Sequence, residues 1–497
     1  MLTDRFFDGD STNNNPYNLP YESAKNQGGV YRGGDFKGVT AKLDYLQELG
    51  VTSIWVTPIV ENIKYNVGGT DNVDEFYAYH GYWASDFEEL NPHLGSLADF
   101  HELIDEAAAR GINILVDVVL NHPGYGLNEG ESLPVEGFPT AEDQERFAGL
   151  IRQEEGMDPD TQRSLSGLPD FETERHEVRE QLVAWQSQWL EKATTSKGNS
   201  IYGFRVDTVK NVDDTTWQHF KNVLTELDSD FHLIGESWGA NYTNDNDDLG
   251  EGKMDSLLDF GFKEIAKQLV NGDLTGAQQE LINRNGFITN AESLAQFLSS
   301  HDEDGFTYSL DGDLNKQKIA ATIQLTAKGL PVIYYGEELG LSGKNNWPYY
   351  DNRYQFDWDK VEGNDMHEHY TKLLDFRNEH SELMARGDRT TLAGNNSEKW
   401  LIAKRSYNDQ SAYIATNLNE TATPLTIEVS GEDAVLFDHY SGNSYNATLS
   451  ETGQYVVNIE APAISDGGTL LLTVTNGDII NAKLASEEEP PVEEGML

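Results

Sequence analysis

The stretch Gly203-Phe-Arg205-Val-Asp207-Thr-Val-Lys210-Asn211 passes from a short apolar run into a group of charged and polar side chains. Alternate side chains of a strand point to the same face, so Arg205 and Asp207 share one. In a barrel of parallel strands, polar residues at the carboxyl ends of the strands face the functional site. The stretch therefore predicts a buried strand over residues 202–206 that presents Asp207 to such a site.

The first two thirds of the chain repeat this pattern of an apolar run, a polar loop and an amphipathic helical segment. Such a repeat is typical of βα units around a parallel sheet and favours an α/β fold, a (β/α)8 TIM barrel, over a sandwich. Helices are predicted at residues 39–49, 97–110, 178–192 and 217–227. Strands are predicted at residues 52–58, 112–118, 202–206, 232–235, 256–260, 294–298 and 332–335, and an eighth is expected at residues 2–6.

Two segments depart from the repeat. Residues 122–167 are rich in Gly, Glu, Pro and Asp and predict a small domain inserted after the third strand. Over residues 386–483 apolar residues alternate with period two between Gly and Asn turns, which predicts a C-terminal antiparallel β-sandwich domain. The barrel then comprises residues 1–121 and 168–385, and the Glu-rich residues 484–497 predict a disordered acidic tail.

The composition excludes several classes of partner and chemistry. The 497 residues include 85 acidic and 35 basic ones, and the formal net charge of −50 repels nucleic acid and anionic membranes. Cysteine is absent from the sequence, which excludes disulfides, thiolate metal sites and cysteine nucleophiles. No apolar run approaches the roughly 20 residues that cross a bilayer. The acidic excess favours adaptation to salty surroundings, so we expect a halotolerant protein.

Polar side chains follow four of the predicted strands. One carboxylate of this kind, taken alone, would be interpreted as a loop residue satisfied by its neighbours. Four in barrel order instead indicate one shared site. The segments are Asp117-Val-Val-Leu-Asn121-His122, the opening stretch with Asp207, Gly235-Glu236-Ser-Trp238 and Phe297-Leu-Ser-Ser-His301-Asp302.

In order along the chain, these segments resemble the four conserved regions of glycoside hydrolase family 13, the α-amylase family. The segments Ala78-Tyr-His80-Gly-Tyr82-Trp and Gly167-Leu-Pro-Asp170-Phe extend the resemblance over nearly the whole chain. The resemblance implies a retaining hydrolase of α-glucans with three catalytic carboxylates. In it, Asp207 is the nucleophile, Glu236 is the acid/base, and Asp302 binds and distorts the sugar.

The chemistry of retention agrees with these roles. It requires two carboxyl groups about 5–5.5 Å apart, one to attack the anomeric carbon and one to protonate the leaving oxygen. Adjacent strand ends of a barrel can place two carboxyl groups this close. Arg205 supplies a fixed cation that favours the ionised form of Asp207. Glu236 must begin protonated, and burial beside negative charge raises the pKa of a carboxyl group.

The resemblance also implies a set of sugar contacts. Neutral hydrogen-bonding groups and a flat apolar ring suit the hydroxyl groups and the face of a pyranose. Three histidines resemble those that bind hydroxyl groups in the family, and one tyrosine resembles the platform beneath the sugar: His80, His122, His301 and Tyr82. Further substrate contacts are expected from Arg205, Lys210, Asp351 and Arg353.

Oxygen-bearing side chains cluster in the loop Asp8-Gly-Asp10-Ser-Thr-Asn13-Asn14. Calcium prefers six to eight oxygen ligands, whereas the plainer interpretation is an Asx-rich turn. Together with the segment Gly33-Gly34-Asp35, the loop resembles a calcium site of bacterial family members. The resemblance implies as ligands the Gly33 carbonyl and the side chains of Asp8, Asp10, Asn13, Asn14 and Asp35.

A second calcium site of the family joins the inserted domain to the barrel, and Asn121 and Asp170 match two of its ligands. A histidine usually follows the position of Lys210 and binds calcium through its backbone carbonyl, and Asn211 stands there in this chain. A carbonyl survives any substitution, so the site is not excluded. The imidazole and its sugar contact are lost.

Several activities within the family remain open. Lys210 resembles α-amylases more than 1,6-glucosidases, which usually lack that lysine, so an endo-acting α-1,4-glucan hydrolase of starch and maltooligosaccharides is predicted. The alternatives are a maltooligosaccharide-forming or glucan-transferring relative and a non-catalytic glucan-binding barrel, against which the intact carboxylates count. We expect an extracellular, secreted monomer, although the opening Met1-Leu-Thr-Asp shows no basic stretch leading into an apolar one.

Overall fold

The structure is a computed structural model that describes residues 1–18, 28–68, 75–128, 139–250, 252–286 and 291–485. The chain divides into two compact units. The first unit comprises Met1–Lys263, Phe287–Gly312 and Leu330–Thr371, and the second comprises Glu264–Gly286, Asp313–Gly329 and Lys372–Leu497. Residues 264–286, 313–329 and 372–385, which the sequence assigns to the barrel, group with the second unit. The domain boundaries drawn from sequence stay a prediction.

Helices and strands alternate through the first unit, and strands dominate the end of the chain. The α-helices of the described residues are α1 (Thr3–Phe6), α2 (Phe36–Ala41), α3 (Leu43–Leu49), α4 (Leu97–Ala109), α5 (Ala141–Glu145), α6 (His176–Lys192), α7 (Asp214–Leu227), α8 (Phe262–Val270), α9 (Leu274–Asn283), α10 (Phe306–Ser309), α11 (Leu314–Thr326), α12 (Asp365–Glu379) and α13 (Ser381–Arg386). Among these described helices, none has both the length and the apolar composition needed to cross a membrane.

Eighteen β-strands run through the described residues. They are β1 (Ser53–Val56), β2 (Val60–Asn62), β3 (Ala84–Leu90), β4 (Asn113–Val118), β5 (Gly203–Val206), β6 (His232–Gly235), β7 (Ser256–Asp259), β8 (Leu294–Gln296), β9 (Asp388–Asn395), β10 (Trp400–Tyr407), β11 (Gln410–Asn417), β12 (Thr423–Val429), β13 (Val435–Asp438), β14 (Asn443–Asn446), β15 (Thr448–Leu449), β16 (Tyr455–Ala461), β17 (Thr469–Thr475) and β18 (Ile479–Leu484).

A six-stranded parallel sheet in the order β1-β4-β5-β6-β7-β8 forms the centre of the first unit. Its register places Asp117 opposite Arg205 on the neighbouring strand. Apolar side chains fill the sheet's interior, where Leu258, Ala295 and Phe297 are buried together. The predicted fold class, a βα barrel followed by a C-terminal antiparallel β domain, is confirmed.

The strand predicted at residues 2–6 is wrong, because Thr3–Phe6 form the short helix α1. Leu2 and Phe6 are both buried. Their spacing of four residues places both side chains on one side of a helical turn, which explains why apolar residues at this spacing form a helix. The segment is too short for its periodicity to distinguish the two structures.

Most other predicted elements of the first unit are confirmed. Six predicted strands correspond to β1 and β4–β8, and three predicted helices correspond to α4, α6 and α7. The helix predicted at residues 39–49 divides into α2 and α3, and the strand predicted at residues 332–335 is reduced to a single parallel bridge between Phe297 and Val332. Residues 129–138 of the predicted insert and 486–497 of the predicted tail lie outside the described residues, and Leu484 ends β18.

A β-sandwich makes up most of the second unit, as predicted. One sheet has the order β14-β13-β17-β11-β10-β9 and the other has the order β15-β16-β12-β18. Buried and more exposed residues alternate along β12 and β16. Successive side chains of a strand point to opposite faces, so a period of two in the sequence places one face of each strand in the core. Trp400, Tyr413, Ile427 and Leu472 belong to the buried core of this domain.

Buried arginines in the second unit bind backbone carbonyls. Arg405 Nη2, on β10, donates to the carbonyl oxygens of Met384 at 3.0 Å and Gly387 at 2.6 Å, while its Nη1 donates to that of Thr326. Arg377 Nη1 donates to the Leu325 carbonyl at 2.8 Å. The last carbonyls of a helix lack intrahelical partners, so these guanidinium groups satisfy the ends of α11 and α13.

Candidate active site

Three parallel strands place the candidate site at their carboxyl ends. The Asp207 N–H donates to the Val118 carbonyl at 2.9 Å, and the Glu236 N–H donates to the Val206 carbonyl at 2.8 Å. These bonds continue the ladder of β4, β5 and β6 by one residue beyond each strand. Asp207 and Glu236 therefore leave the sheet side by side.

Arg205 joins the carboxylates of all three strands. Its Nη1 lies 3.0 Å from Asp117 Oδ2 and 2.7 Å from Asp207 Oδ1, and its Nη2 lies 2.9 Å from Glu236 Oε1. The Arg205 side chain is only 1% exposed. A buried charge needs opposite charge and hydrogen bonds to be tolerated, and these carboxylates provide both. The arginine thereby sets the relative positions of Asp207 and Glu236.

The turn after Asp207 aims a backbone donor at Glu236. Thr208 has the left-handed conformation, with φ 49° and ψ 42°, which is uncommon for a residue other than glycine. In this conformation its N–H donates to Glu236 Oε2 at 3.1 Å. Both oxygens of Glu236 are therefore held, one by Arg205 and one by this turn.

Asp302, the third predicted carboxylate, follows β8 and is held from two sides. His301 Nε2 lies 3.0 Å from Asp302 Oδ2, and Arg353 Nη2 donates to Asp302 Oδ1 at 3.2 Å. Arg353 Nε also donates to the His301 carbonyl at 2.9 Å. The predicted loop residue Arg353 is thus part of the site and orients Asp302.

Burial and charge separate the protonation states of two carboxyl groups. Burial raises the pKa of Glu236 well above its ordinary value; Asp207 and Asp302 add to this, while Arg205 opposes it. Burial also favours the neutral form of Asp302, but His301 and Arg353 outweigh it and lower the Asp302 pKa. A protonated carboxyl group and an ionised one in the same cleft are what acid–base chemistry requires.

Tyr82 stacks on two of the three predicted histidines, His80 and His301. The Tyr82 ring stacks on His301 with 5.3 Å between ring centroids, and the Tyr82 hydroxyl donates to Asp117 Oδ2 at 2.6 Å. His80 Nδ1 accepts the Tyr82 N–H at 3.1 Å. Burial lowers the pKa of His80, of His122 and of His301, the last to about 4. These imidazoles are therefore neutral near pH 7 and suited to bind hydroxyl groups.

These groups open into a cleft of about 730 Å³ in the first unit. Arg205 lies beneath the cleft within the carboxylate cluster, and Asp351 is exposed and outside the set of described residues that line it. The predicted residues that line the cleft are His80, Tyr82, His122, Asp207, Lys210, Asn211, Glu236, His301, Asp302 and Arg353.

Sequence reasoning missed three kinds of residue in the site. Asp117 begins the strand-end segment that also contains Asn121 and His122, but only its contacts with Arg205 and Tyr82 show that it positions these two side chains. Trp347 and Tyr350 line the cleft, and the aromatic run Trp347-Pro-Tyr-Tyr350 in a polar loop was the signal that could have found them. Asp160 also lines the cleft and lacks any sequence signal.

Asp160 connects the predicted insert to the strand end that carries Asp207. Lys210 Nζ lies 3.5 Å from Asp160 Oδ1, and Asn211 Nδ2 donates to the Asp160 carbonyl at 2.9 Å. Asn211 stands where the family usually has a histidine. Its amide therefore binds the backbone of the predicted insert, and no imidazole is available at this position. This pair of contacts forms one wall of the cleft.

The N-terminal loop has an arrangement of oxygens that suits a cation. Asp8 Oδ1, Asn13 Oδ1 and Asn14 Oδ1 are buried and have no hydrogen-bond partner among the residues that the structure describes. Asn14 Nδ2 donates to Asp8 Oδ2 at 2.7 Å, and a Cβ at Gly33 would lie 2.7 Å from the Asn14 amide. Buried oxygens without donors are costly unless a cation or water satisfies them.

Two other predicted ligands in this loop have protein partners. Asp10 Oδ2 lies 2.6 Å from Lys37 Nζ, a hydrogen bond that lowers the Asp10 pKa to about 2. Asp35 caps α2 by accepting the Gly38 N–H at 2.6 Å and also accepts the N–H groups of Gly9 and Asp10. The open oxygens are therefore those of Asp8, Asn13 and Asn14.

The second predicted calcium position contains an arginine. Asn121 Oδ1 and Asp170 Oδ1 are buried without a partner in the described part of the chain. Arg152 Nε donates to Asp170 Oδ2 at 2.6 Å, yet burial dominates and raises the Asp170 pKa to about 6. The position has two open oxygens and one protein cation, a smaller set than the N-terminal loop offers.

Comparison with known proteins places these features in a family. The family model described as the catalytic domain of alpha amylase matches residues 1–132 and 161–423. The chain therefore belongs to glycoside hydrolase family 13, the alpha-amylase family.

Relatives within the family differ in activity. The periplasmic alpha-amylase of Escherichia coli strain K12 is 29% identical over 79% of this chain and 68% of that protein. Neopullulanase 2 of Thermoactinomyces vulgaris is 27% identical over 86% of this chain and 70% of that protein. The crystal structure of Geobacillus thermoleovorans alpha-amylase complexed with acarbose has a TM-score of 0.73 and 27% identity, and covers 96% of this chain and 97% of its own. Other relatives are cyclomaltodextrin glucanotransferases and a cyclomaltodextrinase.

Proposed function

We propose that the chain is an endo-acting α-1,4-glucan hydrolase, an α-amylase, that cleaves starch and maltooligosaccharides with retention of configuration. The observation that carries the proposal is the contact of one buried guanidinium, that of Arg205, with both Asp207 and Glu236. Two carboxyl groups so close together can act on the same glycosidic bond. Retention is proposed because it is the family's mechanism, which uses two carboxyl groups about 5–5.5 Å apart, whereas inversion requires room for a water molecule between them.

In the proposed reaction Glu236 gives its proton to the glycosidic oxygen while Asp207 Oδ bonds to the anomeric carbon. The departing sugar takes that proton. Glu236, now ionised, then removes a proton from water, whose oxygen replaces Asp207 at the same carbon. Asp302, held by His301 and Arg353, binds the sugar's hydroxyl groups and favours the distorted ring.

The sugar has a defined place in this proposal. Tyr82 offers a flat face beneath the ring, and the neutral imidazoles of His80, His122 and His301 offer hydrogen bonds to its hydroxyl groups. Lys210, at the wall formed with Asp160, contacts the neighbouring glucose unit. Its presence supports α-1,4 specificity, as in the family's α-amylases.

A calcium ion at the N-terminal loop is part of the proposal. Asp8, Asn13 and Asn14 would hold it, together with the Gly33 carbonyl, since one buried side-chain oxygen of each has no hydrogen-bond partner among the described residues. A hard cation with oxygen ligands would supply structural charge compensation and no step of the reaction. The position of Asn121, Asp170 and the Asn211 carbonyl fits a second ion less well, because Arg152 already binds Asp170.

Glucan transfer is the second candidate activity. It is favoured by the relatives that are cyclomaltodextrin glucanotransferases, which share the family. Hydrolysis and transfer differ only in whether water or a sugar hydroxyl attacks the glycosyl-enzyme intermediate. An extracellular location is proposed with either activity, because starch is too large to enter a cell and the relative of Escherichia coli is described as periplasmic.

The test follows product lengths and anomeric configuration over time on soluble starch and on pullulan. Early release of mixed oligosaccharides with α configuration from starch alone is the expected result. Glucose as the only product, cleavage of pullulan, or cyclic products would replace the proposal with one of its alternatives. Asp207→Asn is expected to be inactive. Asp351→Asn, which changes a residue outside the cleft, is expected to be close to wild type. Near-normal hydrolysis by Asp207→Asn would contradict the proposed mechanism.

A further inference from the structure

Two imidazoles and a carboxylate meet in the second unit. Glu379 ends α12, His380 follows it before α13, and His439 follows β13. One ligand atom from each of the three side chains lies within 4.8 Å of the others. Sixty positions of sequence separate Glu379 from His439, so the fold rather than local sequence brings them together.

His439 is oriented as a metal ligand would be. Its Nε2 lies 2.9 Å from Thr473 Oγ1, and its Nδ1 lies 3.3 Å from Glu379 Oε2. When Nε2–H donates to the threonine hydroxyl, the lone pair of Nδ1 faces the carboxylate. Histidine ligands of metals are usually held by such a hydrogen bond from the other ring nitrogen, which selects the tautomer.

His380 supplies an independent indication. Its Nε2 is buried and has no hydrogen-bond partner among the described residues. Its ring lies 5.1 Å from that of His439 and 4.8 Å from that of Phe376. The Phe437 ring lies 4.6 Å from that of His439. The aromatic rings restrict both imidazoles, and a buried nitrogen without a partner is costly unless something binds it.

The ligand set selects the kind of ion. Calcium prefers six to eight oxygen ligands, which this cluster cannot supply. Zinc binds neutral imidazole and carboxylate, most often with four ligands, and three protein ligands leave one position for water.

We propose that Glu379, His380 and His439 form a zinc site that links the end of α12 to the strand β13. The fourth position is occupied by water. The site has a structural role, because its ligands tie together two segments of the second unit that lie far apart in sequence. A metal that binds only the folded chain stabilises it by RT ln(1 + c/Kd), where c is the free metal concentration, so above Kd its stability rises with the logarithm of metal concentration.

The test uses the whole chain after chelator treatment. Zinc titration by calorimetry is expected to show stoichiometric binding to the wild-type chain. His380→Gln should bind one zinc ion fewer per chain, and it should also lose the zinc-induced rise in thermal midpoint. Glu379→Gln should weaken the binding strongly, and its side chain is 62% exposed, so the fold should survive. Thr473→Val should weaken it about 10- to 100-fold, since it removes only the partner of a ligand.

His176→Gln is the matched control, because His176 is exposed and also faces a carboxylate, Glu180, at 3.5 Å. It should bind as much zinc as wild type. Cobalt provides a second readout, as the visible absorption of the bound ion should disappear with His380→Gln. Equal zinc uptake by wild type and His380→Gln, or loss of the ion in His176→Gln instead, overturns the proposal. Unchanged circular dichroism and starch hydrolysis in each variant establish that folding is intact.

Discussion

The Nη2 atom of Arg205 lies 2.9 Å from Oε1 of Glu236, and both side chains are buried at the ends of neighbouring strands. The cation opposes the neutral form of the carboxyl group that burial favours. The contact therefore limits the rise in the pKa of Glu236 that burial causes, and it fixes the position of the carboxyl group at the same time.

Replacing Arg205 by glutamine should affect stability and pH dependence together. Three carboxylates lose their shared cation, and removal of one partner from a buried ion pair costs about 3–5 kcal/mol. The free energy of unfolding in urea should fall by that amount, and the pKa of Glu236 should rise further. Arg175→Gln, which removes a half-exposed arginine with surface partners, should change little. Equal stability of the two variants would contradict the role assigned to Arg205.

The alkaline limb of activity should report Glu236. Its raised pKa means that the protonated form persists to higher pH than in an ordinary glutamate, so kcat/KM should fall as pH rises through the raised value. The measurement is kcat/KM on a maltooligosaccharide across pH. An alkaline limb at the ordinary glutamate pKa of about 4.3 would count against this assignment.

Glu236→Gln tests the acid role with two substrates. Hydrolysis of starch should fall about 10²- to 10⁴-fold, since proton donation to the leaving oxygen is lost. Maltosyl fluoride, whose leaving group needs no proton, should still form the glycosyl-enzyme, and its consumption should lack the alkaline limb. Loss of the first-turnover release of fluoride by the same factor would show that Glu236 does not act as the acid. Slow later turnovers are expected, because Glu236 is also the proposed base in hydrolysis of the glycosyl-enzyme.

Calcium should stabilise the chain through the N-terminal loop. At a calcium concentration 100 times its Kd, the gain is about 2.7 kcal/mol, which scanning calorimetry after chelator treatment would detect. Asn13→Ala removes one of the open oxygens and should abolish most of that gain. Asp10→Asn should keep it, because Asp10 is paired with Lys37. If Asp10→Asn lost the calcium-induced stabilisation and Asn13→Ala kept it, the proposed set of calcium ligands would be wrong.

Trp347 should contribute to sugar binding without taking part in bond cleavage. It is 54% exposed and lines the cleft, and its face can stack on a glucose unit. An aromatic contact is worth about 0.5–1.5 kcal/mol, so Trp347→Ala should raise KM roughly 2- to 10-fold with little change in kcat. Tyr349→Ala is the matched control, since Tyr349 is similarly exposed and stands outside the described lining of the cleft. Equal effects of both would refute the stacking role.

The positions of the two carboxylates proposed as nucleophile and acid were predictable because their sequence signal is local. Asp207 and Glu236 each follow an apolar run that ends in a polar residue, and a parallel sheet brings such ends to one edge. The order of strands then places them side by side. Arg205 was predictable for the same reason, since two residues along a strand return to the same face.

Other parts of the site depend on contacts between distant segments. Asp160 touches Lys210 and Asn211 from a loop about 50 residues earlier, and no periodicity records that pairing. Asp10 shows another contact that sequence does not record, because its type and position suit a calcium ligand while its carboxylate lies 2.6 Å from Lys37 Nζ. Helix α1 was mistaken for a strand because five residues contain too little periodicity to decide.

The buried arginines of the second unit are stabilised by backbone carbonyl oxygens, although the chain carries a large excess of carboxylates. Arg377 and Arg405 bind backbone carbonyl oxygens at helix ends, and neither forms an ion pair with a carboxylate within the described part of the chain. Buried contacts of this kind are screened little by dissolved ions, whereas the repulsion among surface carboxylates is screened strongly. Molar salt should therefore reduce the repulsion among surface carboxylates while leaving these interior contacts intact. The thermal midpoint should accordingly hold or rise in sodium chloride.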